Sequence, residues 1–118
     1  MKHSIVLTMA LMTALALPGE AATKRVDASV TRTLVADQER WGGCMAKLDR
    51  NLADFGLDCP GSWVTFSCSG TFTTKDIAYR MFDSAQMAFA LQKPVYIWVD
   101  DTKKHNAACY APRIDVLQ

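Results

Sequence analysis

Four cysteines are the residues of this 118-residue chain whose type and spacing most clearly limit its chemistry. There is no C-x-x-C pair, the spacing typical of zinc ligands and redox-active thiols, among Cys44, Cys59, Cys68 and Cys109. An even number of cysteines in a small secreted domain instead favours two structural disulfides, and four cysteines allow three pairings. We expect Cys44 to pair with Cys59, because that bond would anchor a long loop. Cys68 and Cys109 both fall in predicted strands, and we expect them to form the second bond.

His105 and its neighbours are the candidates for acid–base or metal chemistry. A catalytic triad would need a nucleophile and a carboxylate beside the histidine, and the serines show no nucleophile-elbow pattern. Asp100, Asp101 and His105 have the ligand types of a two-carboxylate, one-histidine metal site, but their spacing matches no metal-binding signature. We therefore predict no catalytic residue, no metal site and no cofactor, and we interpret residues 100–106 as a solvated polar loop.

Three aromatic residues are the candidates for binding a ligand. Side chains alternate between the two faces of a strand, and this parity places Trp63, Tyr96 and Trp98 opposite the apolar positions Val64 and Val95. Aromatic rings on an exposed sheet face can stack on sugar rings or anchor a protein partner. The alternative is that a second layer, such as the N-terminal strand, covers them.

These side chains belong to a central strand–helix–strand unit. Alternation predicts strands over residues 63–68 and 95–99, and apolar spacing of three and four predicts a helix over residues 73–91. Thr73 and Asp76 have the spacing of a capping box at its start. The apolar stripe predicted to face the core consists of Ala78, Met81, Phe82, Ala85, Ala88 and Phe89.

The flanking segments are predicted to add further strands. Residues 22–28 have no clear period and are interpreted as a mobile lead-in, and residues 30–35 as a first strand. Residues 41–48 are interpreted as a second strand, although their Ala, Met, Lys and Leu content also suits a helix. Residues 49–61 are rich in turn formers and are predicted to be a loop. Residues 109–116 form the last predicted strand.

The first 21 residues have the pattern of a secretory signal peptide. A short polar start precedes an apolar run over residues 5–17, and Gly19 and Ala21 supply small residues before a cut. An uncleaved anchor is the alternative. We predict one domain over residues 22–118, in the bacterial periplasm or secreted, without a membrane span after cleavage. The near balance of 13 basic and 12 acidic residues argues against a nucleic-acid partner.

The predicted element order is three strands, a helix and two strands. This is the order of the OB-fold, a five-stranded partly open barrel with a helix between strands 3 and 4. We therefore predict a β-rich α+β fold, a small OB-like barrel with two disulfides. A small α+β sandwich with different strand pairing is the alternative.

The C-terminal half resembles the OB-fold B subunits of bacterial AB5-type toxins, those of the subtilase-cytotoxin type most of all. The resemblance lies in Ser67-Cys68-Ser69, in the alanine-rich residues 86–90, in residues 92–97 and in Cys109. It implies a pentameric ring that binds cell-surface glycans, so a homo-oligomer is among the expected states. No glycan-contact residue carries over individually.

The C-terminal sequence is also similar to small exported proteobacterial proteins of unknown function. His105-Asn106, Cys109-Tyr110 and residues 113–116 carry this second resemblance. The element order, the cysteines and the lack of a catalytic set lead to two expected functions. The first is an exported, non-enzymatic binding module for a glycan or a protein. The second is a periplasmic envelope accessory or inhibitor protein that acts by protein–protein contact.

Overall fold

The computed structural model describes residues 23–37 and 39–118, which form five strands in one sheet, one α-helix and one short 3-10 helix. The predicted signal peptide, residues 1–21, lies outside the described residues. Within the described ranges, no helix combines the length and the apolar character needed to cross a bilayer. The elements are β1 (Thr23–Val35), β2 (Cys44–Leu48), a 3-10 helix (Leu52–Phe55), β3 (Trp63–Thr65), α1 (Lys75–Leu91), β4 (Pro94–His105) and β5 (Ala108–Val116).

β1 begins earlier than predicted, and the interpretation of residues 22–28 as a mobile lead-in is wrong. Val26, Ala28 and Val30 are buried at alternate positions, so the strand has the expected period of two from its start. Lys24, Asp27 and Ala28 are residue types that are uncommon in strands, and they weaken the signal of this alternation. The N-terminal half of β1 pairs with β4 and its C-terminal half with β2, with a register shift between Val30 and Arg32.

The pairings lead from β1 through β2, β3, β5 and β4 and return to β1. All of these pairs are antiparallel except β3 with β5, which is parallel and short. Residues 41–48, for which strand and helix were both considered, contain strand β2. β3 ends at Thr65, sooner than predicted, because Ser67 has a left-handed backbone with φ 61° that a strand cannot continue through.

Helix α1 covers one side of the core. Its N-cap is Thr74, one residue beyond the predicted Thr73, and the Thr74 hydroxyl accepts from the Ile77 N–H at 3.3 Å. Phe89 is 46% exposed, which corrects its predicted place in the core. Its angle around the helix lies between those of Ala78 and Phe82, so its exposure follows from its place in the last turn of α1 and not from the spacing. The other five members of the stripe are buried, as predicted: Ala78, Met81, Phe82, Ala85 and Ala88.

The core lies between the inner face of the sheet and α1. Phe66, which follows β3, is fully buried, and its ring centroid lies 6.4 Å from that of Phe82 on the helix. Val95, Ile97 and Val99 of β4 are also fully buried, which confirms the predicted alternation in that strand.

All four cysteines form disulfides, as predicted, but the expected pairing is wrong. Cys44 bonds to Cys68, with 5.6 Å between the Cα atoms, and Cys59 bonds to Cys109, with 5.9 Å. Antiparallel pairing of β2 with β3 brings the start of β2 beside the chain that leaves β3, so Cys68 reaches Cys44. Parallel pairing of β3 with β5 brings Cys109 level with Val64, near the loop that holds Cys59.

The predicted polar loop over residues 100–106 is mostly strand. β4 continues to His105 and turns into β5 through Asn106 and Ala107, whose φ angles are 47° and 72°. Two residues with positive φ form the tight connection that matches the twist of a hairpin. The loop over residues 49–61, which contains the 3-10 helix, is fastened to this hairpin, since Asp58 Oδ2 accepts from Lys104 Nζ at 3.1 Å.

Candidate functional site

An open pocket of about 280 Å³ lies where β1, β2 and β3 meet the turn between β4 and β5. We call it the tryptophan pocket. Its walls are mostly apolar, and its polar groups are the Arg32 guanidinium and Asn106 of the turn. A mostly apolar concave site with a few polar groups is the usual form of a small-ligand pocket. The apolar side chains that line it include Leu34, Trp41, Met45, Pro60 and Trp63.

Trp63 lies at this pocket on the outward face of β3, as its parity predicted, and it is half-buried. Strand register places Arg32 opposite Lys47 and Lys47 opposite Trp63, so the ring lies in a row with two cations. The Arg32 guanidinium carbon lies 5.6 Å from the centroid of the indole ring. A ring with adjacent cations can bind a ligand by stacking and by donated hydrogen bonds.

Trp41 is the pocket residue that the sequence analysis missed. It lies in the turn before β2 with φ 136°, an uncommon conformation for a bulky residue. The Thr65 hydroxyl, at 2.7 Å, donates to the Trp41 carbonyl and helps to hold this turn. The sequence signal that could have identified Trp41 is the pair of glycines that follows it. Two glycines indicate an irregular turn, and the backbone of such a turn can hold a large side chain in a fixed position.

Beside the turn that lines the pocket, His105 contacts Ser67 across 38 residues of chain, with 3.0 Å between Nε2 and Oγ. Ser67 Oγ also accepts from the Phe72 N–H at 3.1 Å, and the Phe72 and His105 ring centroids are 4.6 Å apart. Burial lowers the pKa of His105, while the charge of Glu39 acts in the opposite direction. We therefore assign the neutral imidazole, whose tautomer determines which of Nε2 and the Ser67 hydroxyl is the donor.

This serine–histidine pair does not have the form of a nucleophilic site. Ser67 is fully buried, so its oxygen is closed to a substrate in this conformation. Its hydroxyl instead joins the start of the β3–α1 connection to the end of β4. The pair therefore supports the turn beside the tryptophan pocket.

Asp100, Asp101 and His105 are engaged separately. Asp100 Oδ1 accepts from the backbone N–H and the hydroxyl of Thr102, at 2.9 and 2.6 Å. Asp101 Oδ2 accepts from the Asp58 N–H at 2.9 Å. Among residues 23–37 and 39–118, no group of three or more His, Cys, Asp and Glu side chains is arranged to hold a metal ion.

Tyr96 and Trp98 lie together on the outward face of β4, half-buried, with ring centroids 6.5 Å apart in an edge-on arrangement. The Arg25 guanidinium lies 4.2 Å from the Tyr96 ring centroid, and the Arg113 guanidinium lies 4.1 Å from that of Trp98. The protein's own arginines therefore cover part of each ring.

The three candidate aromatics do not form one face. Trp63 lies beside Arg32 of β1, whereas Tyr96 lies beside Arg25 of the same strand. These arginines are seven residues apart along β1, up to about 23 Å of extended chain. The structure thus offers a pocket at Trp63 and a separate, flatter face at Tyr96 and Trp98.

No protein-family model, no curated protein and no solved structure matches this chain. The pocket has concave walls, two indole rings and a guanidinium, while the face of β4 has two rings between charged side chains.

Proposed function

We propose that the protein is an exported, non-enzymatic binding module that holds a glycan in the tryptophan pocket. The observation that carries the proposal is that Trp41 and Trp63, from separate parts of the chain, line one concave site of about 280 Å³. Sugar rings have apolar faces that stack on indole, and their hydroxyls need polar partners. Arg32 and Asn106 supply donors at the same pocket.

The fold that we propose for this module is the OB-type barrel. The return of the strand pairings to β1, the parallel pairing of β3 with β5 and the position of α1 between β3 and β4 support it. OB-folds bind oligonucleotides and oligosaccharides on the outer strand surface and neighbouring loops. The tryptophan pocket has a corresponding position, between outward strand residues and the turn after β4.

Export to an oxidising compartment is part of the proposal. Two disulfides, Cys44–Cys68 and Cys59–Cys109, are typical of secreted and periplasmic proteins and rare in the cytosol. Residues 1–21 supply the signal for export and are removed. On the resemblance to toxin B subunits, the proposal also includes a ring of five copies. Light scattering of the purified residues 22–118 measures the mass of the particle and tests this directly.

A glycan array followed by titration of each hit tests the proposal. We expect Trp63→Ala and Trp41→Ala each to weaken binding about tenfold or more, the loss of a central aromatic contact. In the titration, which uses a soluble monovalent glycan, Trp98→Ala is the matched control, since it removes a half-buried tryptophan from the other face. Thermal melting of each variant separates loss of binding from loss of fold. A glycan whose affinity is unchanged by both pocket variants rules out this site.

A protein partner is the second candidate function, as in an envelope accessory or inhibitor protein. The observation that favours it is a pair of exposed apolar side chains one turn apart on α1: Met87 and Leu91 are 54% and 59% exposed. Exposed apolar side chains that lie together mark protein contacts. A silent glycan array, together with a purified partner whose binding is lost in Met87→Lys and Leu91→Lys, would favour this function over glycan binding.

A further inference from the structure

Three neighbouring strands arrange six side chains in two rows on the outward face around Tyr96 and Trp98. In the register of the sheet, Arg25 is opposite Trp98, and Trp98 is opposite Arg113. The next outward positions place an aspartate on each side of Tyr96. The two-row face therefore consists of a cationic row, Arg25, Trp98 and Arg113, and an anionic row, Asp27, Tyr96 and Asp115.

The charged side chains of this face are paired along each strand. Arg25 Nε lies 3.0 Å from Asp27 Oδ1, and Arg113 Nη2 lies 3.0 Å from Asp115 Oδ2. Both arginines and Asp27 are exposed, so these ion pairs contribute little to stability. The stability of the sheet does not require both arginines to lie in the same row. If the arginine and the aspartate exchanged places on one strand, they would still form their ion pair with each other.

By strand position the arginines form one row and the aspartates the other, although the Arg25 side chain leans over Tyr96 to reach Asp27. The face is therefore complementary to itself if each arginine exchanges the aspartate of its own strand for that of a second copy. We propose that it binds a second copy of this chain. The twofold axis would lie in the interface, parallel to the sheet and above its outward face, between the rows and perpendicular to the strands. It would place each cationic row against the anionic row of the other copy, with Trp98 against Tyr96. Such an interface is isologous, and each residue pair occurs in it twice.

The neighbouring rows leave room for this contact. Beyond the anionic row, Ser29 pairs with Pro94, and beyond the cationic row Thr23 pairs with Asp100. Ser29, Pro94 and Thr23 are small or compact and uncharged, and Asp100 is buried. A patch of six side chains is smaller than the roughly 1,200–2,000 Å² buried in stable complexes, so we expect a dimer in the micromolar range. Salt weakens exposed ion pairs, so dissociation should increase with ionic strength.

This dimer leaves the tryptophan pocket free, because the pocket lies at the other end of β1, near Arg32. Two pockets on one particle would increase the apparent affinity for a surface that carries many copies of a ligand. The dimer itself does not depend on the identity of that ligand.

A charge swap on both flanking strands tests the proposal with residues 22–118. The swap variant combines Arg25→Asp, Asp27→Arg, Arg113→Asp and Asp115→Arg, and it keeps the composition and the ion pairs within each strand. We expect it to form homodimers as the wild type does. It should not form heterodimers with the wild type, because a mixed pair places like charges opposite each other. Native mass spectrometry of an equimolar mixture measures all three species.

The variant Asp27→Arg/Asp115→Arg makes both rows cationic, and we expect sedimentation to show at least about a tenfold weaker dimer. Thermal melting verifies that each variant is folded. Statistical mixing of the swap variant with the wild type would overturn the proposal. So would a monomeric wild type at all protein concentrations, or a larger assembly whose mass is unchanged by the all-cationic variant.

Discussion

The imidazole ring of His105 lies against the backbone of Gly42, so closely that a Cβ on this glycine would lie 2.6 Å from Cδ2 of the ring. The same Cβ would lie 2.5 Å from the Thr65 hydroxyl oxygen. Gly42 also has φ +74°, which a residue with a side chain rarely adopts. Space and backbone conformation therefore both require glycine next to Trp41 of the pocket.

Gly42→Ala should lower the free energy of unfolding by about 2–4 kcal/mol, the combined cost of a left-handed alanine and of overpacking. Gly61→Ala is the matched control, because Gly61 has the same φ of +74° but no atom within 4 Å of the added Cβ. We expect the control to lose only about 1 kcal/mol. Urea unfolding measures both values, and equal losses would show that the contact with His105 has no effect.

His105 should make the protein less stable in mild acid. Burial lowers its folded-state pKa below the ordinary 6.5, so the unfolded chain binds the proton more readily. The stabilisation is complete above the unfolded pKa and is lost as the pH falls from there through the folded pKa. Urea unfolding between about pH 7.5 and 5 measures this slope.

His105→Gln should reduce that slope, since glutamine does not titrate. In Glu39→Gln, the loss of stability should extend to lower pH, because removing the carboxylate lowers the pKa of His105 further. A His105→Gln variant with the pH dependence of the wild type would assign the effect to other groups.

The two disulfides should be distinguishable by peptide mapping without reduction. Cleavage after Trp63 or Phe66 separates Cys59 from Cys68, so trypsin with chymotrypsin yields one linked pair for each bond. We expect Cys44 linked to Cys68, and Cys59 linked to Cys109. A fragment that links Cys44 to Cys59 would contradict the strand register described above.

Removing each bond should lower stability by different amounts. The bonds close loops with sequence separations of 24 and 50 residues. Chain entropy then predicts losses of roughly 3 kcal/mol for Cys44→Ala/Cys68→Ala and 4 kcal/mol for Cys59→Ala/Cys109→Ala. Denaturant unfolding of the two double variants measures the difference.

The C-terminus of α1 offers a stabilising substitution. Gln92 caps the helix with φ 53°, and the Lys93 N–H donates to the Ala88 carbonyl at 2.9 Å. Glycine adopts this left-handed conformation without strain. Gln92→Gly should therefore raise the free energy of unfolding by about 0.5–1 kcal/mol. Gln92→Ala keeps a Cβ and should gain nothing; a gain of the same size in both variants would point to the side chain and not the backbone.

The sequence predicted the elements whose burial is regular. One face of β4 packs against the core, which gives the alternation of Val95, Ile97 and Val99. One face of α1 also packs against the core, which gives the helical spacing of its apolar residues. The start of β1 was missed although its buried residues alternate with polar ones, because Lys24, Asp27 and Ala28 are residue types that are uncommon in strands.

The candidate site was only partly predictable. The alternation of side chains in β3 predicted that Trp63 faces outward. The pocket also depends on Trp41, which lies in a turn that has no periodic sequence pattern. Thr65, 24 residues away, holds this turn by a hydrogen bond. Ser67 and His105, which are in contact, are 38 residues apart in the sequence, and no local sequence pattern predicts a contact between residues so far apart. Strand register, which sets these contacts and the disulfide pairing, is a property of the whole sheet.

The two disulfides interleave along the chain, because the first cysteine pairs with the third and the second with the fourth. Oxidation in the order of emergence from a translocation channel would join adjacent cysteines instead, Cys44 to Cys59 and Cys68 to Cys109. Neither of those bonds exists in the folded protein, so any that formed during the proposed export would have to be exchanged after β5 has delivered Cys109. Production of the native protein should thus depend on a thiol–disulfide isomerase, and an oxidant alone should trap misbridged chains.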